Sequence, residues 1–252
     1  MRKRHHIAAL IMLAAFFVNA CGQETESSDE TAAEKATLAD QLMARQQEGA
    51  KRAPPERMQA GNTAIANLAD SGIIEAAANK GAKAPNFTLP NALGNSVTLY
   101  DELEKGPVIL TWYRGSWCPY CNIQLHHYQA SLADIQTAGA QLIAISPELP
   151  DSALSWQEKN ELEFVVLSDA GNDVAREYGI VYKVADAIST NYKSGGRIDL
   201  PKRNGDESLE LPLAVTYVIG KDATIEYAFV DADYRKRAET SEVVAFVQEM
   251  SQ

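Results

Sequence analysis

Two cysteines three positions apart, Cys118 and Cys121, are the residues of this chain best suited to covalent chemistry. They close the segment Tyr113-Arg114-Gly115-Ser116-Trp117-Cys118-Pro119-Tyr120-Cys121, which follows an apolar run over 108–113 that reads as a buried central strand. A helix is predicted over 118–138, so Cys118 stands at its N-terminus. Unpaired backbone N–H groups there carry about half a positive charge. Such a position can draw a thiol down from about 8.5 to somewhere between roughly 3.5 and 7.5, and each unit is worth about 1.4 kcal/mol of preference for the thiolate. Residues three apart share a helix face, so Cys121 falls one turn deeper, within reach of a short disulfide. Cys118 is therefore expected to be the outer, attacking sulfur and Cys121 the resolving one. Pro119 suits the first helical turn, where a missing N–H costs nothing.

Other uses of such a pair fit less well. A Cys-x-x-Cys pair is often half of a zinc site, but the chain has no second pair, and His126 and His127 lie on the same predicted helix as the cysteines. A straight helix cannot wrap four ligands round one ion, so no metal is expected, and the two histidines read as solvated helix residues. A purely structural disulfide across two residues would remove little chain entropy.

Trp-Cys-x-x-Cys after an apolar strand resembles thioredoxin-fold oxidoreductases, and Cys-Pro-Tyr-Cys is the glutaredoxin form of that motif. The wider frame resembles the peroxiredoxin-like branch of the alkyl hydroperoxide reductase and thiol-specific antioxidant family. Its carriers are the cysteine segment, Ala84-Pro85-Asn86-Phe87-Thr88-Leu89, Leu211-Pro212-Leu213 and Val230-Asp231-Ala232-Asp233-Tyr234-Arg235, within residues 60–250. The resemblance implies a thioredoxin-like fold, a central mixed sheet flanked by helices, here with an N-terminal helical arm. It also implies thiol-dependent reduction of hydroperoxides with an external dithiol as reductant and no cofactor. Thiol–disulfide exchange on a protein substrate is the alternative, and a non-catalytic thioredoxin-fold lipoprotein a second. Arg114 is expected to hold the Cys118 thiolate or polarise a peroxide, with Ser116, Trp117 and Arg235 as substrate-side candidates. The sequence departs from the family pattern in the loop before Cys118. Arg114 stands where proline is usual, and Ser116 is the nearest hydroxyl. Trp112 occupies the place of the buried carboxylate of thioredoxins, and Ala214 that of their cis-proline. A cis bond there would cost about 3 kcal/mol, so a trans bond is expected.

The third cysteine has a different setting. Arg2, Lys3 and Arg4 precede an uncharged run over 7–18, too short for a bilayer span of about 20 residues and suited to a secretory signal. Val18-Asn19-Ala20-Cys21 resembles the lipobox of bacterial lipoproteins, which implies a leader over 1–20, lipidation of Cys21, and a lipid-anchored protein of the cell envelope. Because Gly22 rather than aspartate follows the cysteine, the same resemblance implies the outer membrane, facing the periplasm. The net charge of −11 disfavours phosphate backbones, so no nucleic acid partner is expected.

Residues 21–36 read as an acidic tether and 37–80 as a helical arm split at Pro54-Pro55, with a thioredoxin-like domain over 81–252. Within that domain the pattern alternates. A hairpin is expected at 87–89 and 97–99, strands at 141–145 and 164–167, and helices at 151–160 and 172–178. An irregular insertion follows over 184–211, then an antiparallel pair at 215–219 and 224–230, and a helix over 241–250. Strand–helix alternation of this kind is an α/β layer fold.

Overall fold

The computed structural model describes residues 36–251 apart from 92 and 195–197. The expected leader, the lipidated Cys21 and nearly all of the acidic tether lie outside the described residues.

The arm is helical. α1 (Leu38–Arg52) opens on a capping box, in which Thr37 accepts from the Asp40 N–H and Asp40 accepts from that of Thr37. Pro54 cannot continue it, and the next proline starts α2 (Pro55–Ala69), followed by the single turn α3 (Ile73–Ala76).

The short hairpin β1 (Thr88–Pro90) and β2 (Ser96–Thr98) leads into α4 (Leu99–Lys105) and then the central strand β3 (Val108–Trp112). α5 (Pro119–Ala130) and α6 (Leu132–Thr137) return the chain to β4 (Gln141–Ser146). α7 (Pro150–Lys159), β5 (Val165–Ser168) and α8 (Asp173–Glu177) follow. β6 (Val181–Lys183), α9 (Asp186–Ser194), α10 (Leu200–Asn204) and β7 (Glu210–Pro212) form a side structure. β8 (Thr216–Ile219), β9 (Ile225–Phe229) and α11 (Thr240–Met250) close the fold.

The main sheet has the order β5-β4-β3-β8-β9. β3 runs parallel to β4 and antiparallel to β8, with Leu110 beside Ile143 on one side and Tyr217 on the other. Strand alternation divides the core. Ile109, Leu142, Ala144, Val166 and Val218 face α1, α5, α6 and α11. Leu110, Trp112, Ile143, Ile145 and Tyr217 face the opposite layer, with α4 and α8. This is the expected α/β architecture, a mixed sheet between helical layers with a helical arm.

Three differences from the sequence reading stand out. The helix expected over 118–138 is two helices, broken at Ser131, whose N–H bonds to the carbonyls of His127 and Tyr128. α4 was not anticipated, because seven residues carry only Leu99 and Leu103 as buried apolar markers. The insertion expected to be irregular holds α9, α10 and β7. β7 pairs with β6 some thirty residues away (Val181 with Pro212), a long-range contact that no local period announces. Among the described residues every peptide bond is trans, that of Ala214 included, and no helix is long and apolar enough to cross a membrane.

Candidate active site

The sheet and α5 together place the two sulfurs. β3 ends at Trp112, and the chain must turn from sheet to helix within a few residues. Gly115 makes that turn possible at φ +143°, where a Cβ would lie 2.3 Å from the Trp117 indole nitrogen. The Cys118 N–H donates to the Gly115 carbonyl, and Cys118 becomes the N-cap of α5. Cys121 follows in the first turn.

Both thiols are free and both are buried, Cys118 at 1% exposure and Cys121 at 0%. Cys118, expected as the outer sulfur of the pair, is thus almost as deeply buried as Cys121. Burial alone pushes the Cys118 thiol up. The S–H and backbone N–H of Cys121 facing it, with the guanidinium groups of Arg114 and Arg237, reverse that and hold it at about 5. Cys121 moves the opposite way, pushed well above the ordinary thiol range by burial and by the charge on Cys118. The two sulfurs therefore share one proton, and it rests on Cys121.

Arg114 is buried at 3% exposure, in an aromatic cage. Its guanidinium lies 4.1 Å from the Tyr234 ring centre and 5.0 Å from that of Trp117, and one Nη donates to the Tyr192 hydroxyl at 2.6 Å. Burial works against its charge, but the oxygens of Tyr182 and Tyr192 and the Cys118 sulfur keep it protonated. Its Nε has no hydrogen-bond partner among the described residues.

Ser116 is taken up structurally. Its N–H and hydroxyl both donate to the buried carboxylate of Glu148, at 2.6 and 2.9 Å, and Arg203 donates to the same carboxylate at 3.2 Å. This junction fastens the loop before Cys118 to the end of β4 and to α10. Trp117 packs against Tyr192 with ring centres 5.4 Å apart and planes tilted by 60°, so α9 covers the cysteine loop. Arg235 is not brought to the sulfurs: Asp233 takes its Nε and one Nη, and Asn62 on α2 takes the other.

The cation on the far side is instead Arg237, which sequence reading missed. It is buried, and one Nη donates to the Cys121 sulfur at 3.3 Å. Its Nε donates to Gln124 Oε1 at 2.8 Å, and its other Nη to the carbonyls of Tyr234 and Lys236. Nothing local distinguishes Arg237 from Arg235; only α5 packing against the segment before α11 does. Glu148, Tyr192 and Tyr234 were missed for the same reason. His126 is exposed and His127 half-buried. Among the described residues no cluster of three or more His, Cys, Asp or Glu side chains is placed to hold a metal ion.

Known proteins resemble this chain in sequence and fold. The AhpC/TSA family profile matches residues 80–228. Peroxiredoxin Q, chloroplastic, of Oryza sativa subsp. japonica is 30% identical over 151 residues, covering 60% of this chain but 58% of the rice protein. Peroxiredoxin Q, chloroplastic, of Gentiana triflora is 28% identical over 175 residues, 69% of each chain. In solved structures, peroxidoxin BcpB from Mycobacterium tuberculosis superposes with a TM-score of 0.54 at 19% identity, covering 68% of this chain and 97% of that one. That likeness shows the fold, which is thioredoxin-like as expected.

Proposed function

The chain belongs to the AhpC/TSA family, and from that premise we propose that it reduces hydroperoxides, with Cys118 as the attacking thiolate and Cys121 as the resolving thiol. The observation that carries the reading is a sulfur at the head of α5, flanked by two buried guanidinium groups and ionised well below neutral pH. The Cys118 thiolate attacks one peroxide oxygen. The O–O bond breaks, a Cys118 sulfenic acid forms, and the departing alkoxide takes up a proton as the alcohol. Arg114 offers its unpartnered Nε to the peroxide oxygens and stabilises the charge that grows on the leaving oxygen. Cys121 then closes on Cys118 with loss of water, and an external dithiol restores both thiols.

Thiol–disulfide exchange with a protein substrate is the second reading, and the Cys-x-x-Cys spacing at a helix start favours it. Burial favours the peroxidase reading. A protein disulfide must bring its backbone up to the attacking sulfur, whereas a hydroperoxide needs room for only a few atoms, and Cys118 is 1% exposed. Peroxide-dependent sulfenic acid at Cys118, abolished by Cys118→Ser, is the expected result in stopped-flow measurements. Slow reaction with peroxide beside rapid reduction of a protein disulfide would reverse the choice, and Cys118→Ser without effect on either activity would end both.

The same proposal places the enzyme in the cell envelope, anchored to the bilayer through acyl chains on Cys21, so that its reductant is an envelope dithiol. Radiolabelled palmitate incorporation that disappears in Cys21→Ser is the check, and a soluble, unlabelled wild-type protein would remove the anchor from the proposal.

A further inference from the structure

We infer that Arg237 is a catalytic residue of the second chemical step, the cation that makes Cys121 a nucleophile once Cys118 has been oxidised. The inference rests on the peroxidase reading and deepens it.

The geometry is specific. Arg237 touches the resolving sulfur itself, donating to Cys121 at 3.3 Å, and its other donors are fixed by Gln124 and by the carbonyls of Tyr234 and Lys236. Gln124 is held in turn by the Thr216 hydroxyl on β8, which also bonds to Thr111 on β3. The guanidinium is thus locked to the sheet and cannot swing away when charge moves. In the reduced protein its charge serves the Cys118 thiolate, but the sulfur it touches is that of Cys121, so its position also suits a state in which that thiol is the anion.

The reaction supplies that state. The charged and titratable groups facing Cys121 are Cys118 on its own helix, Arg114 in the strand–helix loop, Arg237 ahead of α11 and the Tyr113 phenol at the end of β3. Before oxidation burial and the negative Cys118 sulfur together keep the proton on Cys121. Conversion to the neutral sulfenic acid removes that negative charge, while both guanidinium groups stay. The balance of charge around Cys121 then favours its thiolate, at the moment it must attack. In the closing step the S–H bond of Cys121 and the S–O bond of Cys118 break, the S–S bond forms, and proton and hydroxide leave as water. Cys121 is oxidised by one level as the sulfenic sulfur is reduced by one. The same two cations serve each sulfur in turn.

The test separates the steps. Wild-type and Arg237→Gln proteins are mixed with hydrogen peroxide, and sulfenic acid and disulfide are followed separately by rapid quench. Removing an adjacent cation raises a thiol by roughly 1–3 units, so disulfide closure near neutral pH is expected to slow about tenfold or more. Sulfenic acid formation should slow less than closure does, because Arg237 touches Cys121 and acts less strongly than Arg114 on Cys118, and a thiol at about 5 stays mostly ionised after a rise of about one unit. Arg237→Lys, which keeps the charge, should recover part of the closure rate. To judge the assignment apart from peroxide chemistry, Cys118 is loaded as a mixed disulfide with a small aromatic disulfide, and attack by Cys121 is read from the released aryl thiolate. Failure of wild type to form sulfenic acid sinks the peroxidase reading; closure at the wild-type rate in Arg237→Gln in the mixed-disulfide assay sinks the role of Arg237. If the glutamine variant does not fold, the pH dependence of wild-type closure decides, with a midpoint below the free-thiol value of about 8.5 expected and one at or above it overturning the inference.

Discussion

Replacing Arg114 by glutamine removes one of the two guanidinium charges that hold the Cys118 thiolate, and the size of the effect can be worked out. Cys118 stands at about 5 because those cations, with the donors on Cys121, outweigh burial. An adjacent opposite charge accounts for about 1–3 units, so the midpoint in Arg114→Gln should rise to roughly 6–8. At neutral pH the wild-type sulfur is two units past its midpoint and ~99% ionised, whereas the variant falls to about half or less if its midpoint reaches 7 or above. The sign carries over to stability. The folded value lies below that of a free thiol, so the thiolate adds stability above the free-thiol range, and that contribution is lost as pH falls through about 5. The assay is the rate of alkylation by iodoacetamide, a reagent small enough for a buried sulfur, between about pH 4 and 9. Peptides carrying Cys118 and Cys121 are resolved by mass spectrometry. Cys121 should remain unreactive in molecules whose Cys118 is not yet alkylated, since burial and the Cys118 charge keep it protonated. A wild-type midpoint in the ordinary thiol range, or an unchanged midpoint in Arg114→Gln, would refute the reasoning.

Glu148→Gln takes a carboxylate from a junction of three donors, two from Ser116 and one from Arg203. A hydrogen bond to a charged group is worth about 1.5–3 kcal/mol, so urea unfolding should show a loss of about that size. Faster Cys118 alkylation should accompany it as the loop loosens. Gly115→Ala forces a side chain onto a φ of +143° and into the Trp117 indole. Backbone strain of about 1–3 kcal/mol and displacement of Trp117 from Arg114 should lower the melting temperature and change the tryptophan fluorescence together. Leu38→Ala, at a buried position of α1 packed into the core beneath α5, should cost about 2–5 kcal/mol in unfolding experiments, while the Cys118 midpoint stays where it is.

Much of this protein was legible in the chain because its signals are local. The 108–113 run marked the central strand because a strand covered on both faces needs apolar residues throughout, and Val108–Trp112 is wholly buried. Pro54-Pro55 marked the break in the arm because proline cannot extend a helix but can begin one. Cys118 and Cys121 marked a candidate redox pair because helix geometry fixes the relation of residues three apart, and Arg114 lay close enough in the chain to be suspected.

What escaped was whatever depends on distant segments meeting. Arg235 and Arg237 are two arginines in one short stretch, and no local rule says which points inward; packing against α5 gives Arg237 to Cys121 and leaves Arg235 to Asp233. Glu148 looks like an ordinary loop acid until the fold buries it against Ser116 and Arg203. The insertion carries few apolar markers, yet its Tyr192 closes the cage round Arg114. Residue type and spacing picked out Cys118 as the candidate sulfur. Its cover and its charged surroundings, and so how acidic it is, were decided by tertiary structure, because burial and Coulomb interactions act across space and take no account of sequence separation.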